Sequence, residues 1–307
     1  MKWFFAQEMF FTRFAVYSAF GLVALLLWWV IYQKLLARRY SLWDAIFGEN
    51  PNAAVALDFL GGMLASGILF FFLLRHPTSR EFWTNAGNLA WSIAGLLVML
   101  AVLRLFLEGL LRVWFREARD AQGDYVTLNN ELFKQRNFAT GIFSTALYLI
   151  LVAGMLQIEL RYSYKFQLAG VFNMLGVWLL GGLTVVLHSF LFLGYGMRNH
   201  ILHECFHDNN PAAASSLLGL TGGLLLVNHV LDKFRPGIHI FNTKEMWMSV
   251  GLMLLLVLIV RGVFQLIVYG AAKLSLRSEL VVRDNVAWGL LDGGLILLLC
   301  LILISFM

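Results

Sequence analysis

Charge is scarce in this chain. Asp, Glu, Lys and Arg make up only 13% of 307 residues while 60% are hydrophobic, whereas soluble domains carry about 25% charged residues. Such a chain encodes too little polar surface to wrap one soluble core, so a bilayer must supply part of its solvent. Cysteine is also sparse. Cys205 and Cys300 are the only two and give no disulfide framework. There is no phosphate-cradling glycine loop, no serine nucleophile elbow and no paired-cysteine metal motif. No catalytic residue is therefore assigned. No small-residue cleavage site follows the first apolar run before Gln33 and Lys34, so that run is expected to remain as a span rather than leave as a signal peptide. The formal charge of +5 is ordinary for a protein flanking anionic lipid and does not point to nucleic acid.

What the chain has in abundance is apolar runs. Crossing about 30 Å of hydrocarbon takes about 20 helical residues. Eight runs of that order stand near 14–33, 53–74, 86–110, 138–158, 171–195, 211–231, 246–269 and 286–306. Backbone groups in lipid must be satisfied internally, and runs of this length mean helices rather than barrel strands. The expected fold is all-α and polytopic, with eight transmembrane helices in two tandem four-helix halves. An interfacial segment, 1–13, rich in aromatics (Trp3, Phe4, Phe5), precedes the first half, 14–158. A linker, 159–170, leads to the second half, 171–307. Counted by the helices they join, loops 1–2, 3–4, 5–6 and 7–8 hold twelve Lys and Arg, and the other loops with the N-terminus hold nine. The positive-inside rule then places the first set, with Cys205, in the cytoplasm and both chain ends outside.

A repeat underlies the eight runs. The even-numbered helices open with Asn52-Ala-Ala, Asn137-Phe-Ala, Asn210-Pro-Ala and Asn285-Val-Ala, spaced 85, 73 and 75 residues apart. Each Asn has Ala two residues on and a small residue nine on: Gly61, Ala146, Gly219 and Gly294. Asn is a strong N-cap, and Pro211 is suited to the first helical position. Small residues let membrane helices approach closely. The four Asn read either as caps on packing helices or as the lining of a shared site. Four helix–loop–helix units of this kind are parallel, unlike the inverted repeats of many transporters. The even helices, with their small faces, are expected to form an inner layer, with Gly219 and Gly294 at packing contacts and Leu255 facing lipid.

The phrases Glu49-Asn-Pro-Asn-Ala-Ala-Val-Ala-Leu-Asp-Phe-Leu-Gly-Gly62, Asp208-Asn-Asn-Pro-Ala-Ala-Ala214 and Arg283-Asp-Asn-Val-Ala-Trp-Gly289 resemble the family catalogued as domain of unknown function 350. Shorter members carry two such motifs in about four helices, so this chain resembles two family domains in tandem, roughly 14–158 and 171–306. The resemblance implies a bacterial cytoplasmic (inner) membrane protein of unassigned function and supplies no catalytic residues. Arg136-Asn137-Phe-Ala-Thr-Gly departs furthest from the pattern.

Ionisable groups inside spans are costly and mark either structural pairs or functional sites. Asp58, Arg104, Glu108, Arg261 and Asp292 are the main candidates, with His188 and His229 beside them. Asp58 and Asp292 lie about 9–10 Å past their Asn caps at 1.5 Å per residue. Arg104-x-x-x-Glu108 aligns with Arg261-x-x-x-Gln265. Equal depth and opposite sign predict the pairs Asp58–Arg104 and Asp292–Arg261, as neutralised structure or as a proton- or ion-handling site.

A second feature is His200-Ile-Leu-His203-Glu204-Cys205-Phe-His207. On one continuing helix, His200, His203, Glu204 and His207 share a face, which reads either as a solvated, hydrogen-bonding polar face or as a site for one transition metal, zinc included. The string is similar to one histidine box of membrane fatty-acid desaturases. Those enzymes need several boxes, and the seven histidines here provide no second one. Two functional readings stand: a non-enzymatic channel, transport-type or membrane-complex component without cofactor, and a membrane metalloenzyme using the His200–His207 segment. Partners other than the bilayer stay open between a second copy of the chain and a membrane or cytoplasmic protein docking on the hydrophilic loop 111–137.

Overall fold

A computed structural model describes residues 2–75, 81–116, 123–162, 168–192, 201–234, 255, 259–267, 270–271, 273, 275 and 277–305. Among the described residues all the regular structure is helical. α1 (Lys2–Ile31) passes into a short π-helical turn, Tyr32–Leu36, followed by the one-turn α2 (Leu42–Phe47) and by α3 (Ala53–Arg75). α4 (Phe82–Trp114) is the longest helix. A second π-helical turn, Asn130–Lys134, leads into α5 (Phe138–Tyr162), and α6 spans Leu168–Phe192. The one-turn α7 (Ile201–Phe206) precedes α8 (Pro211–Phe234). A third π-helical turn, Ser278–Val282, precedes α9 (Val286–Ser305).

Among the described residues, four helices are long and apolar enough to cross a membrane: Phe14–Leu36, Ala53–Leu74, Phe82–Trp114 and Phe138–Leu156. Met174–Leu183 and Val286–Ile302 are shorter apolar helices. α6, α8 and α9 coincide with three of the other four expected runs, and the fourth, 246–269, is described only at 255 and over 259–267. α1 runs unbroken through the stretch 2–13 that the sequence suggests as a separate interfacial segment.

The core is a row of parallel helices: α3 packs on α5, α5 on α8 and α8 on α9. α5 stands in the middle, and 94% of its apolar window is buried. Small residues make the row tight. A Cβ on Gly61 of α3 would stand 2.4 Å from the Thr145 hydroxyl of α5, and one on Gly219 of α8 would stand 2.2 Å from the Cα of Gly293 of α9. The seam on α9 is therefore made by Gly289 and Gly293. Gly294, the residue the repeat singles out, faces open space. Among the described helices α9 sits at the end of the row with Leu290, Leu291 and Leu298 exposed, so within that row it is an edge helix and not part of a four-helix inner layer. Single exposed apolar residues are normal. Here they form long stripes (Leu22, Leu26 and Val30 on α1; Trp91, Val98 and Val102 on α4; Leu179, Val186 and Phe190 on α6), as a lipid-facing exterior requires. An apolar cavity of about 490 Å³ lies between α4, α5 and α6 beside Phe106, Phe143 and Trp178.

Candidate functional site

The four motif Asn residues stand at the starts of the row's helices, and Asn52, Asn137 and Asn210 act as caps. Asn52 Oδ1 accepts from the Ala54 and Val55 amides at 3.0 and 3.3 Å, Asn137 Oδ1 from Thr140 at 3.0 Å, and Asn210 Oδ1 from Ala213 at 3.0 Å. Each of these caps satisfies a helix-end donor that would otherwise lack a partner. The Nδ2 groups reach forward along the chain. Asn52 donates to the Leu132 carbonyl (2.8 Å), Asn137 to the Phe206 carbonyl (3.4 Å) and Asn210 to the Leu280 carbonyl (2.6 Å). Each of those carbonyls belongs to the turn before the next motif Asn. Cap and inter-unit latch are thus one side chain.

The sequence reading missed a partner of these Asn. Glu131, Glu204 and Glu279 each stand six residues before an Asn and accept its Nδ2 at 3.0, 2.8 and 2.9 Å. The Asn amide closes the same turn by donating to the carbonyl of that Glu at 2.8–2.9 Å. The residue before each Asn takes a left-handed conformation: Arg136 at φ 54°, Asn209 at 51° and Asp284 at 49°. The signal lay in the spacing, Glu-x5-Asn three times over. The first unit has Pro51 at the equivalent place, and proline is locked at negative φ. Its turn is one residue longer there, with the Asn52 amide reaching the Ala45 carbonyl at 2.7 Å.

The structure brings Asp58 and Arg104 together in the core, 2% exposed or less, with Nη1 and Oδ2 3.0 Å apart. Tyr148 donates to Asp58 Oδ1 at 2.9 Å, and Tyr32 makes a short hydrogen bond to Oδ2. The Arg104 guanidinium lies 4.7 Å from the centre of the Tyr32 ring and donates to Asn129 Oδ1 at 3.0 Å. Asn129 passes the connection on to the Leu36 carbonyl at 2.9 Å. Glu108 is set apart from the pair. It accepts from the Asn129 amide at 3.1 Å and from Arg112 at 2.9 Å. In the other half Arg261 Nε donates to Asp292 Oδ1 at 2.6 Å, and Ser216 joins Oδ2 and accepts from Arg261 at 3.0 Å. Tyr32, Tyr148, Asn129 and Ser216 have no local sequence signal, because each comes from a different helix or turn. Neither pair lines the apolar cavity between α4, α5 and α6. The carboxylates are saturated by protein donors, which is how a buried ion pair offsets its desolvation.

The histidine segment is rearranged relative to one continuous helix. His200 lies outside the described residues, as do His76 and His239 and the side chains of His188 and His229. Glu204 turns inward to Asn210, away from His203 and His207. Asp208 takes its place: its two oxygens lie 2.8 Å from His203 Nδ1 and 2.9 Å from His207 Nδ1, and the imidazoles stack 4.6 Å apart. Ligand atoms of His203, His207 and Asp208 all fall within 4.8 Å of one another. Two imidazoles and a carboxylate suit zinc or another first-row metal, with coordination positions left over. Burial raises the Glu204 carboxyl to about 7, opposed by the Asn210 hydrogen bond and reinforced by Asp208 and Asp284. Burial also pushes the Cys205 thiol well up, with Glu204 adding to the effect.

Long apolar helices, lipid-type exteriors and buried charge pairs define this chain as a polytopic helical protein of membrane type. Residues 5–157 match the family model described as Domain of Unknown Function (DUF350), in one copy. The first half of the chain is thus similar to that family. No curated protein and no solved structure matches the chain.

Proposed function

We propose that the chain is a tandem duplication of the family domain, spanning a bacterial cytoplasmic membrane eight times with both ends periplasmic. On this reading it works without chemistry of its own, as a rigid component of a membrane complex. The observation that carries the reading is that both intramembrane carboxylates, Asp58 and Asp292, have a protein donor on each oxygen. A permeation path needs polar groups that water or ions can reach, and among the described residues the row of helices does not enclose one. The Glu-x5-Asn turns at Glu131, Glu204 and Glu279 support the duplication, since they recur in both halves. Reconstituted into vesicles loaded with a potassium- or proton-sensitive dye, the protein is expected to give no flux above protein-free vesicles. Flux that disappears in Asp292→Asn would overturn the proposal and favour a pore.

A second reading rests on His203, His207 and Asp208. These residues would hold one transition metal at the membrane surface, the basis of a metalloenzyme. Metal analysis of protein purified without chelator tests it. Stoichiometric zinc or iron, lost in the double substitution His203→Ala/His207→Ala, supports it. Metal-free protein leaves the trio as two imidazoles hydrogen-bonded to a carboxylate.

A further inference from the structure

At the Asn end of the molecule a cavity of about 800 Å³ opens between the end of α1, the end of α4 and the segment 125–130. Arg38, Arg39, Arg112 and Arg116 line it, with Glu108 as the only carboxylate among the described residues. Glu108 is already committed, one oxygen to Arg112 and the other to the Asn129 amide. The far wall is satisfied within itself: Tyr40 donates to Asn130 at 3.1 Å, Asn130 Nδ2 to the Tyr125 carbonyl at 3.0 Å, and the Asn130 amide to Thr127 at 3.2 Å. Arg38 and Arg39 have no carboxylate partner among the described residues. Among the described residues the exposed guanidiniums of Arg38 and Arg39 therefore leave a net positive charge at the mouth of this space.

Tyr125 in its wall and the exposed aromatic residues of the adjoining chain segments set its depth. Trp43 and Phe47 of α2, Trp114 at the end of α4 and Tyr125 are all more than half exposed. Trp and Tyr collect where headgroups meet hydrocarbon. Arg forks match the oxygens of a phosphate better than any other side chain. We propose that this cavity binds a phosphate group, carried by the headgroup of an anionic membrane lipid, with Arg38 and Arg39 as the main contacts.

The test is native mass spectrometry of the full-length protein in detergent with phosphatidylglycerol or phosphatidylcholine added, and separately with inorganic phosphate alone. The wild type is expected to retain phosphatidylglycerol in preference to phosphatidylcholine. Arg38→Gln/Arg39→Gln should lose that preference, and Arg38→Lys/Arg39→Lys should keep part of it. Arg283→Gln, an exposed charge of the other half that pairs with Glu279, should leave it unchanged. Displacement of the lipid by inorganic phosphate, or phosphate binding without lipid preference, assigns the same site to free phosphate, provided the Gln pair abolishes it. A lipid preference that survives in the Gln pair overturns the proposal, as does equal retention of both lipids with no phosphate binding.

Discussion

Asp292 is tolerated inside α9 because Arg261 and Ser216 between them supply a donor to each of its oxygens. Removing one partner of a buried pair strands a charge and costs about 3–5 kcal/mol. Arg261→Gln alone should therefore lower the melting temperature more than Arg261→Gln with Asp292→Asn. Equal losses would show that the two charges are not coupled. The same comparison applies to Arg104 and Asp58, where an Asp58→Asn variant keeps one acceptor oxygen, so only one of Tyr32 and Tyr148 could still donate and the other would have to accept from the NH2. Both halves thus use an Arg–Asp pair, with different auxiliary donors.

Glu204 gives a residue-scale prediction in pH. Its folded value of about 7 lies above the usual value for Glu of about 4.3. The folded state therefore holds the proton more tightly than the unfolded chain. Its contribution to stability is fully present below the unfolded value and is lost as pH rises toward 7. Glu204→Gln keeps an acceptor for Asn210 and carries no charge. Between pH 5 and 7.5 the wild type should lose thermal stability in detergent relative to this variant, and parallel curves would refute the assignment. Asp284, also raised by burial and by Asp208, acts in the same direction and is common to both proteins.

At the scale of elements, helix contact is decided by which small residue faces the neighbour. Gly219 and Gly293 meet backbone to backbone, while Gly294 meets nothing. Overpacking typically costs about 1–3 kcal/mol, and a helix seam without side-chain slack belongs at or above the top of that range. Gly219→Leu and Gly293→Leu should abolish folded expression. Gly294→Ala should be neutral, as should Leu255→Ala at a position 51% exposed. Fluorescence-detected size exclusion of each variant reads the outcome, and damage from Gly294→Ala would contradict the packing of α9. The motif turns belong to the same scale. Asn137→Ala removes a cap and the latch to Phe206 together, so it should be worse than the loss of a cap alone, about 1 kcal/mol.

At the scale of the whole molecule the open question is which side of the membrane the Asn end faces. Cys205 and Cys300 are buried, so an impermeant thiol reagent has no native target in the folded protein and Cys205 cannot report orientation. Lys134 is exposed at 40% in the loop expected to be cytoplasmic. In cells, Lys134→Cys should be spared by an impermeant maleimide and labelled after lysis. Labelling of intact cells would reverse the orientation and place the basic cavity on the outer face.

The sequence by itself determined the solvent, the helical class, the caps and the charge pairs to look for. Each follows from composition or from a spacing along one helix, such as Asn52 capping the helix it begins or Asp58 and Arg104 lying at equal depth. Tertiary structure alone decided what depends on rotation and on neighbours remote in sequence. It set Gly293 rather than Gly294 against α8, turned Glu204 inward and brought Asp208 to the two imidazoles. It also arranged the even helices as a row with α9 at its edge. Apolar composition is nearly the same on every face of a membrane helix, since lipid and neighbouring helices are equally apolar. Periodicity then says little about which face looks inward, and only close backbone approach and specific polar partners settle it.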